Sequence, residues 1–319
     1  MYELIIIGGG PAGVAAGVYA SRKKIKSALI AKSFGGQSET SADIQNWIGT
    51  KSVQGFEFVK MLEDHLKAQS DIDIIEGEIV TDVKKTDNGL VVKTDAGKEL
   101  ETKTIIVASG SRRKKLGVPG EKEFDGKGVV YCSTCDAPLF NGKTVAVIGG
   151  GNSGLEAVVD LFPYAEKIYL LEYSDTLKGD TVTQEKVTTN EKVEVITMAA
   201  VKEVFGDKFV TGLKYEDRKD GEVKELAVEG VFVEIGAVPN TEFIKDLVDT
   251  NEFGEIVVDH RTQQASLEGV WAAGDASDVL YKQNNISAGD AVKAVLSVTT
   301  YLYGRWTTAP RPKSPQYGW

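Results

Sequence analysis

Two glycine clusters, each set between an apolar run and an alanine- or valine-rich segment, constrain this chain more than any other feature. Gly8, Gly10 and Gly13 follow the run Leu4 to Ile7. The same G-x-G-x-x-G spacing returns at Gly149, Gly151 and Gly154, after Thr144 to Ile148. A continuous β-branched run bounded by glycine suits a strand buried on both faces of a parallel sheet. Pro11 to Ser21 and Ser153 to Phe162 predict helices packed on such strands, and Ser27 to Ala31 and Ile168 to Glu172 predict the next strands. Each set is a βαβ unit. In that setting the first glycine permits a tight turn, the second lets backbone approach a pyrophosphate, and the third lets helix and strand pack closely. The helix start adds N–H groups and a positive dipole end. One match is a weak signal; two in matched contexts predict two dinucleotide sites, with Pro11, Ala12, Asn152 and Ser153 among the loop residues. The expected fold class is α/β, with two Rossmann-like dinucleotide-binding domains.

The segments between these units repeat one plan. Strand-like runs lie between Ile72 and Val107, with Asp87-Asn88-Gly89 and Asp95-Ala96-Gly97 as hairpin turns. In the second half Glu194 to Thr197, Val210 to Tyr215 and Val231 to Ile235 are strand-like, with a turn at Asp220-Gly221. Gly110 to Glu121 has the composition of a linker, its basic run Arg112 to Lys115 either solvated or guiding an acidic partner or a phosphate. From about Pro239 the chain returns to the first domain, which Val270 to Asp275 and a helix over Ser287 to Tyr303 complete. The expected division is 1–113 with 240–306 for one domain and 114–239 for the other. The tail 307–319, with Pro310, Pro312 and Pro315, is either a disordered end or a segment docked through Trp306, Tyr317 and Trp319.

Composition narrows the class of partner. Apolar residues make up 42% and charged residues 26%, ordinary globular usage, and the net charge is −10. An acidic surface repels phosphates, so neither nucleic acid nor an anionic membrane is expected as a general partner. No stretch approaches the ~18 apolar residues of a spanning helix. Tyr2 to Ala20 lacks a basic start, carries Glu3 and is broken by Gly8, Gly9, Gly10 and Pro11, which argues against a signal peptide. The expected compartment is the cytoplasm.

The chain holds 2 cysteines, Cys132 and Cys135, just before the second βαβ unit. C-x-x-C is compatible with a redox-active disulfide, a zinc half-site or two buried thiols. Zinc wants four ligands, and the only histidines are His65 and His260, far apart in the chain. No metal is expected. Asp136 either relays a proton to the thiolate or caps a helix. Glu172, ending the second strand of the second unit, is placed to accept hydrogen bonds from adenosine ribose hydroxyls and to repel a 2′-phosphate; alternatively it is an exposed strand-end acid. At the matching place in the first unit stand Ala31 and Lys32, so the usual NAD acid is missing there.

The whole chain resembles the low-molecular-weight thioredoxin reductase family and the C-terminal module of the alkyl hydroperoxide reductase flavoprotein. The resemblance rests on Gly8-Gly9-Gly10-Pro11-Ala12-Gly13, Phe34-Gly35-Gly36-Gln37, Tyr131-Cys132-Ser133-Thr134-Cys135-Asp136, Gly149-Gly150-Gly151-Asn152-Ser153-Gly154 and Ala272-Ala273-Gly274-Asp275. It implies FAD at the first site, with Asp275 on the ribityl chain or its phosphate and Gly36, Gln37, Asn46, Gly110, Gly274 and Gln283 near the flavin or its chain. It implies a nicotinamide domain inserted into a discontinuous FAD domain, a homodimer, and a rotation between domains. It also implies that Cys135 is the flavin-proximal thiol and that Cys132 attacks the partner disulfide.

Two departures matter. NADPH-using members follow the second strand with a histidine and an arginine cluster; here the stretch is Glu172-Tyr173-Ser174-Asp175-Thr176-Leu177-Lys178, without arginine. NADH is therefore the expected donor, with NADPH through Lys178 the lesser alternative. Ala137 stands where the family usually has glycine, and Pro138 follows it. Met1 leads straight into the first strand, so the expected electron acceptor is a separate small thioredoxin- or glutaredoxin-like protein. The alternatives are a flavoenzyme fed by reduced ferredoxin and a flavin redox sensor without turnover.

Overall fold

A computed structural model describes residues 1–41 and 44–304. The proline-rich tail, and Arg305 and Trp306 at the end of the expected first domain, lie outside the described residues. The chain divides into two compact units. One comprises Met1–Phe34, Leu62–Gly110 and the described chain from Thr241 to Gly304; the other comprises Gly35–Met61 and Ser111–Asn240.

In the first unit the strand Tyr2–Gly9 lies between Ser27–Phe34 and Glu99–Val107, parallel to both. Ile72–Glu76 extends the sheet on one side and Val270–Ala272 on the other, again parallel. Leu4 to Ile7 are at most 4% exposed, as a strand covered on both faces requires. The hairpin Val80–Thr86 and Gly89–Thr94 turns at Asp87-Asn88, within the expected Asp87-Asn88-Gly89, and joins Glu99–Val107 in antiparallel fashion. Helix Pro11–Arg22 packs against helix Asn284–Tyr303. Its buried face is Ala12, Gly13, Ala16, Gly17 and Ala20. These small residues let it lie close, and a Cβ on Gly17 would meet Leu66 Cδ1 at 2.6 Å.

The second unit has a five-stranded parallel sheet in the order Val193–Ile196, Lys167–Leu171, Thr144–Ile148, Gly230–Val233, Val129–Val130. Successive side chains alternate between two cores, as the period of a strand demands. Val145, Val147, Ile168, Leu170 and Phe232 join Leu155, Val158 and Leu161 of helix Asn152–Leu161. Ala146, Ile148, Leu171, Val231 and Val233 join the side chains of a three-stranded antiparallel sheet, Ala199–Gly206, Val210–Asp217 and Glu222–Ala227.

The Gly110 to Glu121 segment is not a plain linker. Ser111–Arg113 is a strand paired antiparallel with Ala237–Pro239, and Arg112 Nη1 donates to Asn240 Oδ1 at 2.8 Å. Arg113 lies 3.9 Å from Glu234 and Lys115 pairs with Asp125 at 3.0 Å, contacts that a composition-based reading does not register. Among the described residues, no helix is long and apolar enough to cross a membrane.

Phe140, a few residues beyond the cysteine pair, packs edge-on against Phe232 with ring centroids 4.9 Å apart. A Cβ on Gly230 would meet its ring at 2.2 Å, so the strand passes directly beneath it. Phe140→Ala is expected to cost about 3–5 kcal/mol, seen as a lower urea midpoint with an unchanged m value.

Candidate redox and dinucleotide sites

The two glycine loops have the same anatomy. Gly8 and Gly149 lie at positive φ, 119° and 115°. A Cβ on Gly8 would meet Ala108 O at 2.2 Å, and one on Gly149 would meet Glu234 O at 2.5 Å. Gly13 and Gly154 are pressed against the first glycine of their own loop, where a Cβ would come within 1.8 Å and 1.7 Å of its carbonyl oxygen. The middle glycines differ. A Cβ on Gly10 or Gly151 would meet nothing within 4 Å. The protein needs the outer glycines for its own packing, whereas the middle ones face open space. Both precede a helix start with no side-chain cap and no acid in its first turn. Uncapped N–H groups beside open backbone form a cradle that fits a pyrophosphate.

Glu172 is 8% exposed, and both of its oxygens are engaged. Gly150 N–H donates to Oε2 at 2.6 Å and Ser174 N–H to Oε1 at 2.8 Å. Burial works to raise its pKa, but the Ser174 and Gly150 N–H groups outweigh it and hold the carboxyl below its ordinary value. Each oxygen keeps a second lone pair for an incoming hydroxyl. The side chain is thus a buried brace of the glycine loop, not an exposed strand-end acid.

Cys132 and Cys135 form a disulfide across the short helix Ser133–Asp136, with Cα atoms 5.4 Å apart. Asp136 N–H donates to Cys132 O at 3.0 Å, closing the turn. Tyr131 anchors the entry: its hydroxyl donates to Glu121 Oε1 at 3.1 Å, and Glu121 also accepts from Leu116 and Gly117 N–H. Cys135 lines a cavity of about 140 Å³ together with Gln45, Asn46, Thr134, Pro138 and Leu139. Asp136 is 8% exposed, and burial pushes its carboxyl up to about 6. A carboxyl that is neutral so near pH 7 can hand over a proton and take it back.

Residues 2–295 match the pyridine nucleotide-disulphide oxidoreductase family. The chain belongs to this family. It is 42% identical over 301 residues to the F-type subunit of an alkyl hydroperoxide reductase of Staphylococcus aureus, covering 94% of this chain and 59% of that protein. The corresponding protein of Pseudomonas putida is 43% identical over 314 residues, covering 97% and 59%. The chain therefore spans 59% of the length of these relatives. The thioredoxin reductase of Streptococcus pyogenes superposes with a TM-score of 0.88 at 33% identity, over 95% of this chain and 98% of that one. That of Giardia duodenalis gives 0.89 at 30% identity, over 94% and 98%. The fold is that of the thioredoxin reductases, with FAD and NAD(P) domains of Rossmann type, and family membership implies FAD and a pyridine nucleotide.

The family's expected residues fall into groups. In the first unit Gly274, at φ 69°, sits beside the first glycine loop: its missing Cβ would lie 3.4 Å from Ala12 Cβ and 2.9 Å from Ser287 Oγ. Asp275 follows it in a short turn, Gln283 precedes helix Asn284–Tyr303, and Gly110 lies at positive φ with open space on its Cβ side. Gly36, Gln37 and Asn46 group with the second unit. There Gln37 donates to Ser111 Oγ at 3.0 Å, and Asn46 shares the cavity with Cys135. Asn152 Oδ1 accepts from Asp180 N–H at 2.8 Å, while Ser153 is exposed on the first turn of its helix.

Three residues beside these sites carry no local sequence signal. Asp160 accepts from the Ser133 and Thr134 hydroxyls, and Glu234 faces Arg113 Nη1 at 3.9 Å. Arg218, in a hairpin distant in sequence, donates to Tyr173 O at 2.8 Å and stacks 4.0 Å over the Tyr173 ring.

Gly154→Ala is expected to destabilise the fold by about 2 kcal/mol or more, because the contact it violates is backbone. Gly151→Ala is expected to leave the thermal midpoint of the cofactor-free chain unchanged while weakening nicotinamide dinucleotide binding. For Asp136 the raised pKa means that its stabilising contribution is complete below the ordinary value of 3.8 and is lost as pH rises through about 6. Thermal midpoints from pH 4 to 8 are expected to show that decline in the wild type and a shallower one in Asp136→Asn, where the buried Glu234 still titrates.

Proposed function

We propose that this chain is an FAD-dependent, NADH-preferring protein-disulfide reductase that passes electrons through Cys132 and Cys135 to a small thioredoxin- or glutaredoxin-like protein. The observation that carries the reading is the disulfide beside a buried acid, with Cys135 on the wall of a cavity. The two glycine cradles support FAD at Gly8, Gly10 and Gly13, with Asp275 beside it, and the nicotinamide dinucleotide at Gly149, Gly151 and Gly154. On this reading residues 1–113 and 240–306 form the FAD domain and 114–239 the nicotinamide domain. The working form is a homodimer, and the compartment is the cytoplasm.

Bound FAD and nicotinamide supply two-electron transfer, chemistry that no side chain of the chain carries. The chain contributes alignment and proton handling. Cys135 is the sulfur presented to the cavity. Once the pair is reduced, the Cys132 thiolate attacks the partner's disulfide and forms a mixed disulfide. Cys135 then attacks Cys132, releasing the partner's dithiol and restoring the Cys132–Cys135 bond. Asp136 holds the proton that the departing thiolate needs. Cys132→Ser is expected to abolish disulfide turnover while leaving flavin binding intact; unchanged turnover overturns the mechanism.

A second reading, NADPH as donor, has one observation in its favour. The guanidinium of Arg218 stands beside Tyr173, next to Glu172, and could meet a 2′-phosphate. Anaerobic mixing of the flavin-loaded protein with each nicotinamide, followed by flavin absorbance in stopped flow, separates the readings. Faster bleaching by NADH is expected, at least tenfold at equal concentration. Faster bleaching by NADPH assigns the donor to the second reading. Bleaching by neither points to another donor, such as reduced ferredoxin.

A further inference from the structure

The two residues between the cysteines are held by one side chain. Ser133 Oγ donates to Asp160 Oδ2 at 2.9 Å, and Thr134 Oγ1 donates to the same oxygen at 3.2 Å. An sp² oxygen has two lone pairs, so one atom can accept both bonds. Asp160 stands near the end of helix Asn152–Leu161. Its helical neighbours Ala157, Val158 and Leu161 are fully buried, in a core shared with Val145, Val147, Ile168 and Leu170 of the parallel sheet. The sheet and helix therefore fix the acceptor independently of the cysteine turn.

The turn has little of its own to hold it. Helix Ser133–Asp136 is a single turn without a side-chain cap. It is closed by the disulfide and by the Asp136 N–H to Cys132 O bond at 3.0 Å. So short a helix is not stable by itself. Opening the disulfide removes one of its closures. The Asp160 contacts do not depend on that bond, because neither hydroxyl belongs to a cysteine. Nothing in the disulfide chemistry derived above uses Asp160.

We propose that Asp160 is a positioning residue of the redox centre, a clamp that keeps the Cys132 and Cys135 sulfurs at closing distance after their bond has opened. The inference rests on the reading of that pair as redox-active. Reduction by two glutathione thiols breaks the Cys132–Cys135 bond and forms one glutathione disulfide. Two electrons and two protons pass to the cysteine sulfurs, and closure returns them. The balance depends on the effective concentration of one sulfur at the other. A turn held at both intervening residues loses less freedom on closing, so the clamp favours the disulfide. Without it the open dithiol gains freedom, and the pair becomes easier to reduce.

The test uses the full FAD-loaded chain, equilibrated in glutathione redox buffers at pH 7, quenched by thiol alkylation and scored by mass spectrometry. Asp160→Ala is expected to be ~3- to 10-fold easier to reduce than wild type, tenfold being 29.6 mV. Asp160→Asn keeps an oxygen that can accept both hydroxyls and is expected to stay within about twofold of wild type. The double variant Ser133→Ala with Thr134→Val removes the donors instead. It is expected to shift as Asp160→Ala does, and adding Asp160→Ala to it is expected to change the balance by less than about twofold. Should Asp160→Ala fail to fold, the double variant alone decides: an unshifted balance overturns the inference. An Asp160→Asn balance that coincides with Asp160→Ala assigns the effect to charge and overturns the clamp. So does an Asp160→Ala shift of the same size with and without the two hydroxyls, which reports a role through the helix alone. A wild-type pair that opens in no buffer overturns the redox reading itself, whereas pairs that open alike in wild type and every variant overturn the clamp only.

Discussion

Everything at the second dinucleotide loop depends on one close approach: the third glycine's Cα against the first glycine's carbonyl. At Gly154 a methyl group would sit 1.7 Å from Gly149 O, far inside van der Waals contact. That approach draws the helix onto the sheet and leaves its N–H groups beside the open face of Gly151. The same crowding ties the loop to its neighbour, since the Glu234 carbonyl fills the space where a Cβ on Gly149 would lie. Near the far end of the helix that starts at this loop, Asp160 accepts from the Ser133 hydroxyl at 2.9 Å. A chain of contacts thus joins the dinucleotide loop to the cysteine turn within one compact unit.

Burial decides which charges matter here. Surface pairs such as Lys167–Glu194, at 2.7 Å but about half exposed, are screened by water and contribute little. Asp136 and Glu234 are different: water cannot screen them, so both are pushed toward neutrality, to about 6 and about 7. Arg113, 3.9 Å from Glu234, only partly offsets the cost of burying it. The result is a region near the disulfide whose total charge changes close to neutral pH. A stable core would favour an apolar residue at position 136, so a buried acid directly after Cys135 points to chemistry rather than packing.

The βαβ units were legible because they are local. Apolar runs, glycine spacing and alanine-rich helices place the strands Tyr2–Gly9 and Thr144–Ile148 and their helices to within a few residues. Helix Gly55–Lys67 was missed, since its charged face and modest apolar stripe carry no cap or glycine signal. The Ser111–Arg113 ribbon was also missed, because its partner Ala237–Pro239 is remote in the chain and two short strands leave no periodicity. The candidate site divides in the same way. The cysteines, Asp136 and the glycines announce themselves by spacing. Glu234, Asp160 and Arg218 do not, because their role comes from what tertiary folding sets beside them: the Arg113 guanidinium, the Ser133 hydroxyl and the Tyr173 carbonyl.

The choice of donor turns on two opposing charges at the end of the Lys167–Leu171 strand. Glu172 is buried and held ionised by two backbone N–H groups, so it cannot escape repulsion by taking up a proton near neutral pH. A unit pair at 4 Å is worth about 4 kcal/mol at an effective dielectric of 20 and about 1 kcal/mol in water. Arg218 and Lys178 are both exposed, so their attraction for a 2′-phosphate belongs nearer the lower figure. The guanidinium of Arg218 is also committed to the Tyr173 carbonyl and ring. A buried, permanently charged carboxylate should therefore outweigh two screened cations. On the proposed reading, a preference for a dinucleotide without a 2′-phosphate would follow from burial rather than from the number of charges of either sign.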